Sequence, residues 1–385
     1  MELNRPAWLE VHLDHLEHNI EVIRKNVADH TEILSIVKAD GYGFGAREIT
    51  AAQREMGLKH FAVATGNEAL ALRRDFSDIE ILILGYVPDE SLEKIIEAEI
   101  DFALYDLEKA KRVDAVAAKL GKKARVHLVL DTGMSRIGFQ VVPETVDAIE
   151  EISKMEHIQI DGMFTHFAVA DSDDEFTQGQ YQGYRKIADA LKERDIHVKE
   201  HVSNSHAIIR HRTFDLDYVR PGIVQYGSVE GDDEQGNFPV KFVGSLKAKI
   251  GHLKELPAGR GVSYGLTYTT TKCTKIATIP IGYADGLERG LSGKIDMLVG
   301  GQRCPQIGRI CMDQCMIDVT GVDCAVGDEV VIIGKQGDSE ITIEEVAEKN
   351  GEIPTSYVTH FNKRLPRVYT RGGEVVKIVD QLLDR

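Results

Sequence analysis

Between residues 33 and 227 the chain repeats one pattern eight times: a short apolar, β-rich run followed by a segment of helical periodicity. The runs are ILSIVKA (33–39), HFAVA (60–64), EILILGYV (80–87), DFALYD (101–106), RVHLVLDTG (125–133), IQIDGMFTH (158–166), VKEHVSNS (198–205) and DYVRPGIVQYG (217–227). Intervening segments such as SLEKIIEAE and ETVDAIEEISKM space their apolar residues three and four apart, as helices lying on a sheet require. Eight strands joined by crossover helices predict an α/β fold, an N-terminal (β/α)8 barrel. A doubly wound open sheet gives the same alternation and stays open at this point.

After about residue 235 the texture changes. GDDEQGNFP reads as a polar linker. Beyond it come closely spaced strand-like runs, among them KFVGSLKAKIGHL, KCTKIATIPIGYA, RICMDQCMIDV and DEVVIIG, with one helix expected at TIEEVAEKN. The expected organisation is therefore a barrel over residues 1–235 and a mostly antiparallel β domain over 236–385. A chain of 385 residues also exceeds what one ordinary core accommodates.

A net charge of −16 repels phosphate backbones and anionic lipid, which argues against nucleic acid and membrane surfaces as partners. No run approaches the roughly 20 apolar residues that cross a bilayer, and MELNRPAWLEV has no secretory-signal pattern. The five cysteines, with no C-x-x-C pair, suit reduced thiols in the cytoplasm better than disulfides or zinc. His12, His15 and His18 lie beside the apolar stripe Leu16, Ile20, Ile23 and Val27. They are expected to be solvated residues of a capped helix rather than metal ligands. Asp171, Asp173, Asp174 and Glu175 read as an acidic helix start.

In such a barrel, chemistry belongs at the C-terminal ends of the strands. Lys38 stands there in IVKADGYGFG, followed by Gly41, Gly43 and Gly45. Because the lysine precedes the glycines, this is not a nucleotide P-loop. His166, Asn204, Ser205 and Arg220 fall at later strand ends, with Gly222 and Ile223 just beyond. A lysine at the first strand end, facing small and polar residues from the last two, suits a phosphorylated aldehyde held covalently.

The segment SIVKADGYGFGA resembles the pyridoxal-phosphate-binding signature of the alanine racemase family. The likeness continues in order through LDTGMSRIGF, GMFTHFA, SNS, VRPGIVQYG, GVSYGLTY, IPIGYADG, GRICMDQCM and KRLPRVY. It implies an isomerase that interconverts L- and D-alanine with two proton carriers on opposite faces of the cofactor, Lys38 and Tyr264. Two carriers are required because racemisation removes a proton from one face and returns one to the other. The resemblance further implies that Arg220 bonds the pyridine nitrogen and that His166 lies between Tyr264 and Arg220. Arg136 would orient the substrate carboxylate, and Tyr42, Ser205, Gly222 and Ile223 would contact the phosphate. Met312, Asp313, Tyr264 and Tyr283 would reach the site of a partner subunit, so a homodimer with shared sites is implied.

Two positions depart from the family pattern. Val129 stands where many relatives carry a lysine whose carbamate holds the substrate-binding arginine, so no carbamate can form here. Lys363 stands where a tyrosine that contacts the phosphate and narrows the pocket is common. Both open the alternative of a racemase acting on serine or basic amino acids. A decarboxylase of the same plan fits GVSYG and ICMDQ less well, and a non-enzymatic carrier would need no second proton carrier.

Overall fold

The computed structural model describes residues 3–230 and 238–383. The first eight-strand unit is a parallel barrel of Glu32–Ile36, His60–Val63, Glu80–Ile83, Asp101–Leu104, Ala124–Asp131, Ile158–Phe164, Lys199–His201 and Tyr218–Val219. Tyr218 and Val219 pair with Glu32 and Ile33, which brings the last strand back to the first and removes the open-sheet alternative. Between the seventh and eighth strands no ladder forms among the described residues. Individual bonds bridge that seam instead, among them Arg220 N–H to Ser203 O (2.9 Å), Glu200 N–H to Asp217 Oδ2 (2.7 Å) and Lys199 Nζ to Tyr218 Oη (2.6 Å).

Strands covered on both faces are read easily because they are almost continuously apolar. In His60–Val63, Glu80–Ile83 and Asp101–Leu104 nearly every position is buried. The crossover helices pack their apolar stripes outside, as Val113 and Ala117 of Leu107–Leu120 do. That helix is capped by Asp106, which accepts Lys109 N–H, and ends at Gly121 with φ 61°. Asp173 caps Asp174–Lys192 in the same way, so the acidic cluster is a helix start.

The second sheet is mostly antiparallel, with one parallel pair at its N-terminal strand. Ala7–His12 pairs antiparallel with Gly244–Lys249 and parallel with Arg367–Arg371. Residues 7–12 thus belong to the second sheet rather than to the barrel, which corrects the expected assignment of 1–235 for that segment. The reason is burial. Ala7, Leu9 and Val11 alternate along the strand and are wholly buried, at about 1.5–3 kcal/mol for each of the larger two. The boundary expected between residues 235 and 236, and most of the linker expected over 231–239, lie on residues 231–237, outside the described residues. The helix expected at TIEEVAEKN is present as Ile343–Asn350, capped by Thr342.

The three N-terminal histidines are not solvated as expected. His12, the last residue of the strand 7–12, bonds Thr370 Oγ1 and Ser245 Oγ inside the second sheet, while His15 bonds Phe242 O and His18 bonds Pro239 O, tying the first helix to residues 239–242. Among the described residues no cluster of His, Cys, Asp or Glu has metal-binding geometry, and no helix is long and apolar enough to cross a membrane.

Candidate active site

The first barrel strand stops at Ile36, three residues short of the run read from sequence, because the backbone then reverses hand. Ala39, Asp40, Gly41 and Tyr42 take φ values of 53°, 54°, 61° and 56°, a full left-handed turn. Each non-glycine residue there costs roughly 1–2 kcal/mol. The turn brings Lys38 and Tyr42 to the C-terminal mouth of the barrel. There Lys38, Tyr42, Arg136, His166, Asn204, Ser205, Arg220, Gly222 and Ile223 line one cavity of about 470 Å3. The residues singled out in the barrel part of the sequence are therefore brought together.

Burial and the neighbouring Arg136 hold the Lys38 amine below the ordinary lysine range, and Glu68 only partly offsets them. A lysine so placed has more of the neutral, nucleophilic form at a given pH. Arg220 is buried and donates four bonds: Nη1 to His201 Nδ1 (3.0 Å) and His201 O (2.6 Å), Nη2 to Thr165 O (2.7 Å) and Val202 O (3.0 Å). No bond falls on its Nε among the described residues, which leaves that donor for the cavity. Burial lowers its pKa to about 9, so it stays charged at neutral pH. His166 is pushed down to about 3 by burial and by the cations Arg220, Arg136 and Lys38, and is therefore neutral.

In the same cavity Ser205 Oγ accepts the amides of Gly222 (2.9 Å) and Val224 (3.4 Å), which leaves its own O–H free to donate. A Cβ on Gly222 would stand 2.7 Å from Tyr42 Oη, so the close approach of that phenol requires glycine. Burial and Glu230 raise the Tyr42 pKa, keeping its hydroxyl protonated and able to donate. An aldehyde-capturing amine, a free Nε donor and two hydroxyl donors are what a phosphorylated pyridine aldehyde needs.

Four expected site residues lie elsewhere. Tyr264, Tyr283 and Met312 are 69%, 38% and 51% exposed, and Asp313 is bonded to Arg364 on the surface. None of them lines the cavity of its own chain. They are neighbours on the second domain, since Tyr283 N–H bonds Cys311 O, Ala284 N–H bonds Met312 O, and Ser263 Oγ bonds Arg309 O. Arg136 is also exposed and makes no ion pair or side-chain hydrogen bond among the described residues. Val129, where a carbamate would need a lysine, packs with Ala103 and Phe164 against Leu84, Tyr105 and Ile137.

Lys363 stands outside this cavity. It is exposed, and the second domain reaches the cavity through Thr355 instead. Thr355 N–H bonds Glu230 Oε1 (2.9 Å), and His206 faces the other carboxylate oxygen at 3.6 Å. Although burial opposes it, those contacts hold Glu230 below the usual carboxylate range. Sequence reading missed Thr355, Glu230 and Glu68. Only Glu68 left a local trace, the T-x-x-E capping box with Thr65.

Residues 11–230 match the model of the alanine racemase N-terminal domain, and residues 243–369 that of the C-terminal domain. An alanine racemase of Clostridium tetani is 42% identical, over 97% of this chain and 98% of its own. The alanine racemase structure of Clostridium difficile 630 superposes with a TM-score of 0.95 at 40% identity, covering 99% of this chain and 100% of that one. The Bacillus anthracis enzyme, described with bound L-Ala-P, gives 0.94 at 31% identity over the full length of both chains. This chain belongs to the alanine racemase family.

Proposed function

We propose that the protein is a pyridoxal-phosphate-dependent racemase that interconverts L- and D-alanine, using Lys38 and Tyr264 as its two proton carriers. The observation that carries this reading is the cavity at the barrel mouth, which Lys38 and Arg220 line together with Tyr42 and Ser205. Lys38, Tyr42, Ser205, Arg220, Gly222 and Ile223 would hold the cofactor. Pyridoxal phosphate, when bound, supplies the electron sink that makes the substrate α-proton removable.

The chain's own groups divide the remaining work. The Lys38 amine takes or returns a proton on one face of the substrate α-carbon. The Tyr264 phenol does so on the other. Arg136 offers a planar fork to the substrate carboxylate. Arg220, having no acceptor atom, would donate to the ring nitrogen of the bound group and, staying charged, would not readily pass it a proton. Neutral His166 takes no proton between about pH 5 and 8 and serves to space Arg220 from the second carrier.

The exposure of Tyr264, Tyr283 and Met312 supports a homodimer in which each subunit lends these side chains to the other's cavity. Five unpaired cysteines suit a cytoplasmic protein. A broader racemase is the second reading, favoured by the apolar wall at Val129 and the unpartnered Arg136. A panel of L-amino acids followed by chiral separation decides between them.

The direct test is conversion of D- to L-alanine and back, with and without added pyridoxal phosphate. Mixing two inactive variants, Lys38→Ala and Tyr264→Phe, tests the shared site. Random pairing should restore about a quarter of the parent turnover, because only one site of each mixed dimer holds both groups. No recovery after confirmed subunit exchange would overturn the shared-site reading.

A further inference from the structure

The left-handed turn after Lys38 is strained. Ala39, Asp40 and Tyr42 are L residues in a conformation that only glycine takes freely. Within the turn, two amides bond back four residues, Gly41 N–H to Val37 O and Gly43 N–H to Ala39 O, both at 2.9 Å. Phe44 N–H also bonds Gly41 O (3.1 Å), Gly45 N–H bonds Asp40 O (2.8 Å) and Asp40 Oδ1 accepts Ala46 N–H (3.0 Å), and further support comes from outside the turn. On the near side, Glu68 Oε1 accepts Ala39 N–H at 2.7 Å.

On the far side the second domain grips the turn. Arg367 is wholly buried and bonds no carboxylate among the described residues. Its Nε and Nη2 both donate to Gly43 O, at 3.2 and 2.9 Å. Its other bonds anchor it at home, on Phe361 O (2.9 Å), Asn362 O (2.8 Å) and Leu365 O (2.8 Å). Two residues along the same strand, Tyr369 donates to Phe44 O at 2.9 Å. The domains meet without slack here, since a Cβ on Gly43 would stand 2.6 Å from Val358 O.

We propose that Arg367 and Tyr369 are positioning residues through which the second domain clamps this turn and fixes where the Lys38 amine points. The proposal rests on Lys38 being the working amine. It differs from ordinary domain adhesion in one respect: the grip is needed because the backbone is strained, so relieving the strain should make it dispensable. Ala39 permits that experiment. Its side chain is exposed, and glycine at that position takes the same φ of 53° without steric cost.

The test compares the parent, Arg367→Lys, Ala39→Gly and the double variant. Lysine keeps the charge and loses the fork that binds Gly43 O. Two quantities are read: amide hydrogen exchange of residues 39–44 in cofactor-free protein, and kcat against KM for alanine in the holoenzyme. In Arg367→Lys, exchange in the turn should be about tenfold faster and kcat about tenfold lower, with KM within about twofold of the parent. Adding Ala39→Gly should return both quantities to within about threefold of the parent. The clamp is overturned if Arg367→Lys exchanges and turns over like the parent, or if Ala39→Gly restores neither quantity. Should Arg367→Lys not fold, Tyr369→Phe with and without Ala39→Gly is read by the same criteria. The exchange measurement needs no chemistry from Lys38. Rescued exchange beside a fully active Lys38→Ala would therefore sink the catalytic reading while leaving the clamp standing.

Discussion

Replacing Arg220 with lysine isolates what its guanidinium contributes. The two terminal nitrogens serve four buried acceptors, His201 Nδ1, His201 O, Thr165 O and Val202 O. Because Arg220 donates to Nδ1, His201 must carry its own proton on Nε2, which then donates to His127 Nδ1 at 2.9 Å. A lysine keeps the charge, but one nitrogen does not reach acceptors on both arms of the fork. At least two buried acceptors then lose their donor at about 1–3 kcal/mol each, giving a stability loss of roughly 2–6 kcal/mol. The Nε donor proposed for the ring nitrogen goes too. A charge-assisted bond contributes about 1.5–3 kcal/mol, which is about 10–100-fold in affinity for pyridoxal phosphate. Thermal melting of cofactor-free protein reads the first quantity, and a fluorescence titration with pyridoxal phosphate reads the second. An unchanged melting temperature would refute the buried-acceptor argument. A Kd within about twofold of the parent would refute the placement of the ring nitrogen at Arg220.

With a pKa pushed down to about 3, the His166 ring should show no NMR titration between pH 5 and 8; a midpoint near the usual histidine value would mean that the cations do not face it. Asp215 is buried, with Oδ2 accepting Ala28 N–H at 3.1 Å and Oδ1 unpartnered, and burial raises its pKa to about 6. The folded state therefore binds this proton more tightly than the unfolded chain does, and the associated stability, complete below about pH 4, is lost as pH rises through about 6. Asp215→Asn should stabilise the protein by about 1–2 kcal/mol at pH 7 and by little at pH 4, read from urea melts at both values. An equal gain at both would remove ionisation as the cause.

The barrel was legible because parallel strands covered on both faces leave nearly unbroken apolar runs that need no partner to be recognised. Their C-terminal limits were not. Apolar residues continue past the ladder at Val37 and Val202, where the chain has already turned into the site. The first strand went unread although Ala7, Leu9 and Val11 alternate, because its partners lie at 244–249 and 367–371 and nothing local announces them. In the site, glycines and strand ends gave away Lys38, Ser205 and Arg220. Tyr264 and Met312 came from the family resemblance alone, since no local pattern sets them apart from other exposed side chains of the second domain. Glu68 shows only as a helix cap, its second duty at Ala39 being a matter of tertiary placement. Thr355 lies 125 residues from the Glu230 it touches, and no spacing rule joins them.

Val129 has an electrostatic consequence beyond the missing carbamate. With an apolar wall where an anion would stand, Arg136 has no counter-charge among the described residues, and its field falls on Lys38. After burial it is the largest influence holding that amine below the ordinary lysine range, with Glu68 acting in the opposite sense. An amine captures an aldehyde only in its neutral form, so a lowered pKa extends capture toward lower pH. Arg136→Gln removes the cation while Glu68 remains. The Lys38 pKa must then rise, and the acid limb of the rate of pyridoxal phosphate capture by cofactor-free protein must move to higher pH. Stopped-flow absorbance across a pH series measures that limb without any turnover, which separates this effect from the loss of a carboxylate-binding group. A limb that stays in place, or moves to lower pH, would show that Arg136 does not act on Lys38, and that the cavity sets the reactivity of its lysine by burial alone.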